Sequence, residues 1–159
     1  MVGKEPQAAH EVKLVVDTNI VFSAVLNSNS RIARVLISGR RHFEFYSCEF
    51  LRVELIKHRP KLRKLTDLSE ADLDEVIDKV TANIRYINEA SLPASLLRRV
   101  EITLADVDPK DTPFVALARK LKARLWTGDK ALVKGLMLSE AKLTITTADL
   151  LKRLDELER

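Results

Sequence analysis

A chain of 159 residues, 46% hydrophobic and 31% charged, is long enough to bury one core unaided and has the make-up of an ordinary globular domain. Its single cysteine, Cys48, excludes an internal disulfide and a cysteine-based zinc site and fits a reducing compartment, while only 4 Gly and 5 Pro favour a helix-rich fold over a loop-rich sandwich. No apolar run approaches the ~20 residues of a membrane span and the polar N-terminus lacks a signal-peptide core, so a cytoplasmic protein is expected, its net charge of +4 compatible with a polyanionic partner.

Residues 1–11 are polar and are expected to form a flexible leader, with residues 12–159 a single domain. Val12 to Asp17 is the first predicted strand, an apolar run of the kind found where both faces of a parallel sheet are covered. Thr18 to Leu26 follows as a helix, closed by Asn27-Ser28-Asn29-Ser30, and Arg31 to Arg40 as a second, with Gly39 near its end. Phe43 to Ser47 alternates as a strand. From Cys48 the spacing of Phe50, Leu51, Val53, Leu55 and Ile56 predicts a helix that Pro60 must end or kink.

Ser69-Glu70-Ala71-Asp72 has the form of a capped helix start, and Leu73, Val76, Ile77 and Val80 supply its buried stripe. Arg85 to Ile87 is a short strand, and Pro93 to Val100 a helix. Residues 106–110 form an acidic loop, after which Asp111-Thr112-Pro113 opens a helix reaching about Lys122. Leu125 to Thr127 is a strand, Lys130 to Leu138 a helix and Leu143 to Thr146 the last strand. Thr147 then caps a C-terminal helix. Strands alternating with helices over this length predict an α/β/α sandwich around a mostly parallel sheet, with the strand ends on one edge.

That edge is where chemistry is expected, because ligands of open parallel sheets bind beyond the carboxyl ends of the strands. Asp17 ends the first strand, Asp111 opens a helix, and Asp129 follows Trp126-Thr127-Gly128; Glu54 lies about two turns into the helix after the second strand. Each aspartate could instead be a helix N-cap, and Glu54 a solvated helix residue. Convergence separates the two readings. Two carboxylates ~4 Å apart repel by about 4 kcal/mol at an effective dielectric of 20, so several on one rim need protons or cations. Mg²⁺ or Mn²⁺, hard and oxygen-seeking, is the natural neutraliser of such a set.

Val15-Val16-Asp17-Thr18-Asn19, the mid-helix Glu54, Asp108-Pro109-Lys110-Asp111 with Phe114-Val115-Ala116-Leu117-Ala118, and Trp126-Thr127-Gly128-Asp129-Lys130-Ala131-Leu132, in that order and spacing, resemble the PIN domain family, in the style of VapC-like toxins. The resemblance implies a Mg²⁺- or Mn²⁺-dependent ribonuclease with Asp17, Glu54, Asp111 and Asp129 as catalytic, metal-holding acids and Asn19 and Thr127 as supporting polar residues. Asp108 reads as a loop residue before Pro109, with an auxiliary acid as its other role. The resemblance also implies an antitoxin partner and a homodimer. A PIN-like module that binds RNA or protein without cutting is the alternative, and the presence of all four acids argues against it. A haloacid dehalogenase-style phosphatase would want an aspartate where Asn19 stands, and a receiver domain an acidic pair that the first strand lacks.

Lys57, Arg59, Lys61, Arg63 and Lys64 crowd the segment after Glu54 and form either a solvated face or a track for an RNA backbone, with Lys57, Arg59 and Lys61 the candidate contacts. His10, His42 and His58 have no metal-ligand spacing, and no Gly-rich phosphate loop is present. Cys48, Trp126, Phe43, Phe45 and Tyr46 read as packing residues. The apolar faces of the helices over 31–40 and 69–84 are candidates either for core packing or for a partner.

Overall fold

The computed structural model describes residues 12–140 and 142–159; the predicted leader, residues 1–11, lies outside the described residues. Five parallel strands run β1 (Val12–Val16), β2 (Phe43–Cys48), β3 (Ile84–Ile87), β4 (Arg124–Trp126) and β5 (Thr144–Ile145), in the spatial order β3-β2-β1-β4-β5. The chain therefore leaves the central β1 first toward β2 and β3, then returns to the other side of β1 for β4 and β5. Right-handed crossovers put the helices of the two halves on opposite faces, so the predicted α/β/α sandwich is the fold.

Between β1 and β2 lie α1 (Thr18–Leu26) and α2 (Arg31–Ser38); between β2 and β3 lie α3 (Phe50–Lys57), α4 (Arg59–Thr66) and α5 (Glu70–Thr81). The other half carries α6 (Ala94–Thr103), α7 (Thr112–Leu121) and α8 (Lys130–Glu140), and α9 (Thr147–Leu157) closes the chain. Leu14, Val15 and Val16 have no exposure, as expected of a strand covered on both faces. Phe114 to Ala118 is a buried stretch of α7, which packs across β1, β2 and β4. Trp126 is also fully buried, and its indole N–H donates to Thr147 Oγ1 at 3.0 Å.

Several element ends differ from expectation for local reasons. Thr147 is the first residue of α9 and not its cap: Thr146 Oγ1 accepts the Asp149 amide, so the β5 prediction ran one residue long at each end and the α9 cap one residue late. Pro60, the second residue of α4, has no amide hydrogen to give; the predicted helix ends at Lys57, and α4, not predicted from the sequence, begins just past His58. Asp67, in the left-handed region at φ 58°, ends α4. Ser69 caps α5 as predicted, accepting the Asp72 amide at 3.1 Å. Ser69→Ala is expected to destabilise the protein by about 1 kcal/mol in chemical denaturation, and an unchanged midpoint would show that α5 is held by packing alone.

The apolar faces over 31–40 and 69–84 are largely absorbed by the core: Ala33, Val35, Leu36, Leu73 and Val80 are buried. The large apolar side chains left outside lie elsewhere, notably Val53 and Ile56 on α3, 56% and 75% exposed, because Leu51 and Leu55 take the inward face of that helix. Among the described residues no single helix is long and apolar enough to cross a membrane.

Candidate active site

At the carboxyl end of the sheet, β1 and β4 lie side by side and their continuations diverge in sequence, the place where a crevice opens in a doubly wound sheet. Asp17 stands there, 4% exposed, immediately after β1. Its backbone extends the pairing by one step, the amide donating to the Trp126 carbonyl at 3.2 Å. The Ser47 hydroxyl donates to the Val16 carbonyl at 2.9 Å and ties β2 to the same spot. Strand hydrogen bonds on both sides thus fix where the Asp17 carboxyl points.

Thr127, fully buried, joins two of the acids. Its hydroxyl donates to Asp17 Oδ2 at 2.6 Å and accepts the Asp129 amide at 3.1 Å. Asp129 in turn accepts the Leu132 amide on Oδ1 at 3.1 Å, capping the first turn of α8. Capping is therefore part of what Asp129 does. It does not explain the other two. Asp17 and Asp111 occupy N-cap positions of α1 and α7 without a side-chain capping bond, and Asp111 Oδ2 is buried with no hydrogen-bond partner. A buried carboxylate oxygen left unpaired is costly in a finished core and is informative where it occurs.

The electrostatics point the same way. Burial, the largest cause, together with the negative charges of Asp17, Asp108, Asp129 and Glu54 pushes the Asp111 carboxyl up to about 7. The Asp17 carboxyl is also raised, by burial first and by repulsion from Asp129, against the opposing hydrogen bond from Thr127. Acids from separate segments of the chain thus act on Asp111 through their charge. The 104–111 segment packs closely on α8 at Gly135, where a Cβ would fall 2.6 Å from Val107 Cγ2, so a larger residue there would force the Val107 side chain to shift.

Each of the predicted residues has a definite place. Asp17, Asp129 and Glu54 are each near enough for their charge to act on Asp111. Thr127 is the bridge just described, while Asn19 is exposed on the first turn of α1 and, among the described residues, makes no side-chain hydrogen bond to Asp17. Asp108 accepts the Lys110 amide at 3.0 Å, the turn-forming bond expected of a loop residue. Arg59 lies against α5, 3.3 Å from Glu70 and 2.7 Å from Asp74, and Arg63 lies 3.3 Å from Glu70; Lys57 and Lys61 are exposed and in no ion pair among the described residues. Burial pushes the Cys48 thiol up to about 12, helped by the charge of Glu89, which fits a packing residue and not a nucleophile.

Sequence reasoning missed three features. His58 Nε2 lies 3.5 Å from Glu54 Oε2, a pairing that the four-residue spacing on one helix would have flagged. Thr18 and Thr112, each next in sequence to a pocket acid, bury hydroxyls without partners, and nothing in their local sequence distinguishes them from ordinary first-turn threonines.

The donor set, all carboxylate with one buried oxygen unpaired and mutual repulsion unrelieved, fits a hard divalent cation. As the side chains stand, no three acidic, histidine or cysteine groups among the described residues are close enough together to hold a metal ion. Cation binding therefore requires the carboxylates to draw inward.

A family model described as PIN domain matches residues 15–154 of this chain. The chain is a PIN domain protein. Among solved structures it is similar to PAE2754 from Pyrobaculum aerophilum, with a TM-score of 0.66, 17% identity and coverage of 91% of this chain and 90% of that one. It is also similar to VapBC2 from Rickettsia felis, a structure bound to a DNA fragment from its own promoter, with a TM-score of 0.65, 12% identity and coverage of 85% of this chain and 98% of that one. At these identities the likeness concerns the fold. No curated protein matches this PIN domain in sequence. PIN domains are generally nucleases and typically use divalent metal ions.

Proposed function

We propose that this PIN domain is a Mg²⁺- or Mn²⁺-dependent endoribonuclease acting in the cytoplasm as the toxin of a toxin–antitoxin pair. The observation that carries the reading is the unpaired buried oxygen of Asp111 facing the charges of Asp17, Glu54 and Asp129. A bound divalent cation would supply a lowered pKa for a water and charge stabilisation at the scissile phosphate. The chain's own residues set the rest. Asp17 is the central ligand because strand bonds fix its backbone and Thr127 fixes Oδ2. Asp111 and Asp129 supply carboxylates from the opposite half of the sandwich, and Glu54 reaches in from α3. Asn19, exposed at the rim, is placed to meet substrate more readily than to hold an acid.

A PIN-like module that binds RNA or protein without cutting would have no need of an unpaired buried carboxylate in its pocket, so the nuclease reading is preferred. The test is incubation of purified protein with single-stranded and structured RNA, and with DNA, in Mn²⁺, Mg²⁺ or EDTA. Cleavage of RNA that EDTA abolishes supports the proposal; binding without cleavage in every metal supports the silent module.

Residues 12–159 act as one nuclease unit in this reading, with the antitoxin and a second copy of the chain as partners. The VapBC2 likeness supports an antitoxin, and the outward-facing Val53 and Ile56 offer apolar surface for protein contact. For RNA, Lys57 and Lys61 are the available phosphate contacts, because Arg59 is already engaged with Glu70 and Asp74. Charge reversal at Lys57 and Lys61 together is expected to lower RNA affinity and reduce the salt slope by about 2, one per lysine. An unchanged slope would leave both lysines as solvated surface.

A further inference from the structure

Glu54 differs from the other pocket acids in how it is held. Asp17 is fixed by strand bonds and Thr127, and Asp129 by the amide of Leu132. Glu54 projects from the middle of α3 on a longer side chain, and the polar group found beside its carboxyl is His58, with Nε2 3.5 Å from Oε2. That distance is an ion-pair contact and not a closed hydrogen bond.

The imidazole itself is anchored. Pro60 breaks the helix so that His58 is the joint between α3 and α4, at φ −98° and ψ 10°. Its amide donates to the Glu54 carbonyl at 2.9 Å, and its carbonyl accepts the Leu62 amide at 3.0 Å. The ring packs edge-on against Phe22 of α1, with centroids 5.5 Å apart and planes at 78°. The next residue, Arg59, clamps the joint to α5 through Glu70 and Asp74. Backbone, ring and neighbour therefore fix the position from which His58 meets Glu54.

We infer that His58 is the positioning residue for Glu54, its imidazole N–H holding Oε2 and so orienting the carboxylate that, with Asp17 and Asp111, would hold a divalent cation. Outer hydrogen bonds to ligating carboxylates set ligand orientation and contribute about 10- to 100-fold to metal affinity. The inference rests on the nuclease reading above, specifically on Glu54 as a ligand.

Two substitutions separate the donor from the ring. His58→Phe keeps an aromatic edge against Phe22 and removes the N–H; His58→Gln keeps an N–H donor and removes the ring. Calorimetric titration of the metal-free proteins with Mn²⁺ gives affinity directly, without RNA. His58→Phe is expected to bind Mn²⁺ about 10-fold more weakly or worse, and His58→Gln to recover most of that loss. In cleavage, His58→Phe should need correspondingly more Mn²⁺ for half-maximal rate, with much of the maximal rate regained at saturation. In a Glu54→Gln background, His58→Phe should add nothing. Equal Mn²⁺ affinity of His58→Phe and wild type, or an undiminished effect in the Glu54→Gln background, would overturn the assignment. Wild-type affinity in Glu54→Gln itself would remove Glu54 from the ligand set and the role of His58 with it. Failure of the wild type to bind Mn²⁺ at all would instead overturn the nuclease reading.

Discussion

Asp17→Asn is expected to lower Mn²⁺-dependent RNA cleavage by at least ~10³-fold, roughly 4 kcal/mol of barrier, while leaving the fold intact and the metal-free protein more resistant to heat. The two effects have one origin. Asp17 is 4% exposed, and burial together with the nearby Asp129 charge raises its carboxyl. The ionised form therefore burdens the folded state whenever no cation is present. Asparagine has the same shape, and its Oδ1 can still accept the Thr127 hydroxyl that now reaches Asp17 Oδ2 at 2.6 Å. What disappears is the charge, which costs stability without a cation and is required to hold one. Reduced cleavage alone would not separate a lost ligand from a damaged fold. Reduced cleavage with a raised melting temperature in EDTA does. A variant that cuts RNA at the wild-type rate would remove Asp17 from the reaction.

The second large effect concerns pH and metal together. The Asp111 carboxyl stands at about 7 in the folded protein against 3.8 in an exposed chain. A carboxyl that holds its proton more tightly when folded makes folding more favourable in acid: below about pH 4 both states are protonated and the group contributes no difference. Between about 4 and 7 the unfolded chain has lost the proton that the folded one retains, so stability falls as pH rises. Above about 7 both are ionised and the penalty is constant. Thermal unfolding in EDTA should show this decline in the difference between wild type and Asp111→Asn, which cancels what the other groups contribute. Mn²⁺ at 100 times its dissociation constant should then add about 2.7 kcal/mol above pH 7, with the gain shrinking toward pH 5 as protons compete for Asp111. Asp111→Asn should lose most of that gain. A flat difference between pH 4 and 7 would mean that the acids do not crowd Asp111 as described.

The basic segment after Glu54 shows why a charge run is ambiguous until it is folded. In sequence, Lys57, Arg59, Lys61, Arg63 and Lys64 are five equal candidates for an RNA backbone. In the fold, Arg59 and Arg63 face Glu70 and Asp74 at the start of α5 and hold two helices together. Exposed pairs of this kind contribute modestly each, so their main consequence is geometric: they steady the joint at His58.

What the sequence alone determined is what residues within a few positions of one another control. The apolar run into Asp17 specifies a strand covered on both faces, Pro60 forces a break, Ser69 starts α5, and the alternation of strands and helices sets the sandwich and the edge where its acids collect. The order of the acid-bearing segments is enough to display the PIN family pattern. Tertiary structure alone decided what each acid does. Asp129 caps a helix and Asp17 and Asp111 do not, Thr127 bridges to an aspartate 110 residues away, and His58 turns back onto Glu54. The reason is physical: caps and periodicity follow from neighbours along the chain, whereas desolvation and repulsion depend on which distant segments the crossovers bring to β1 and β4.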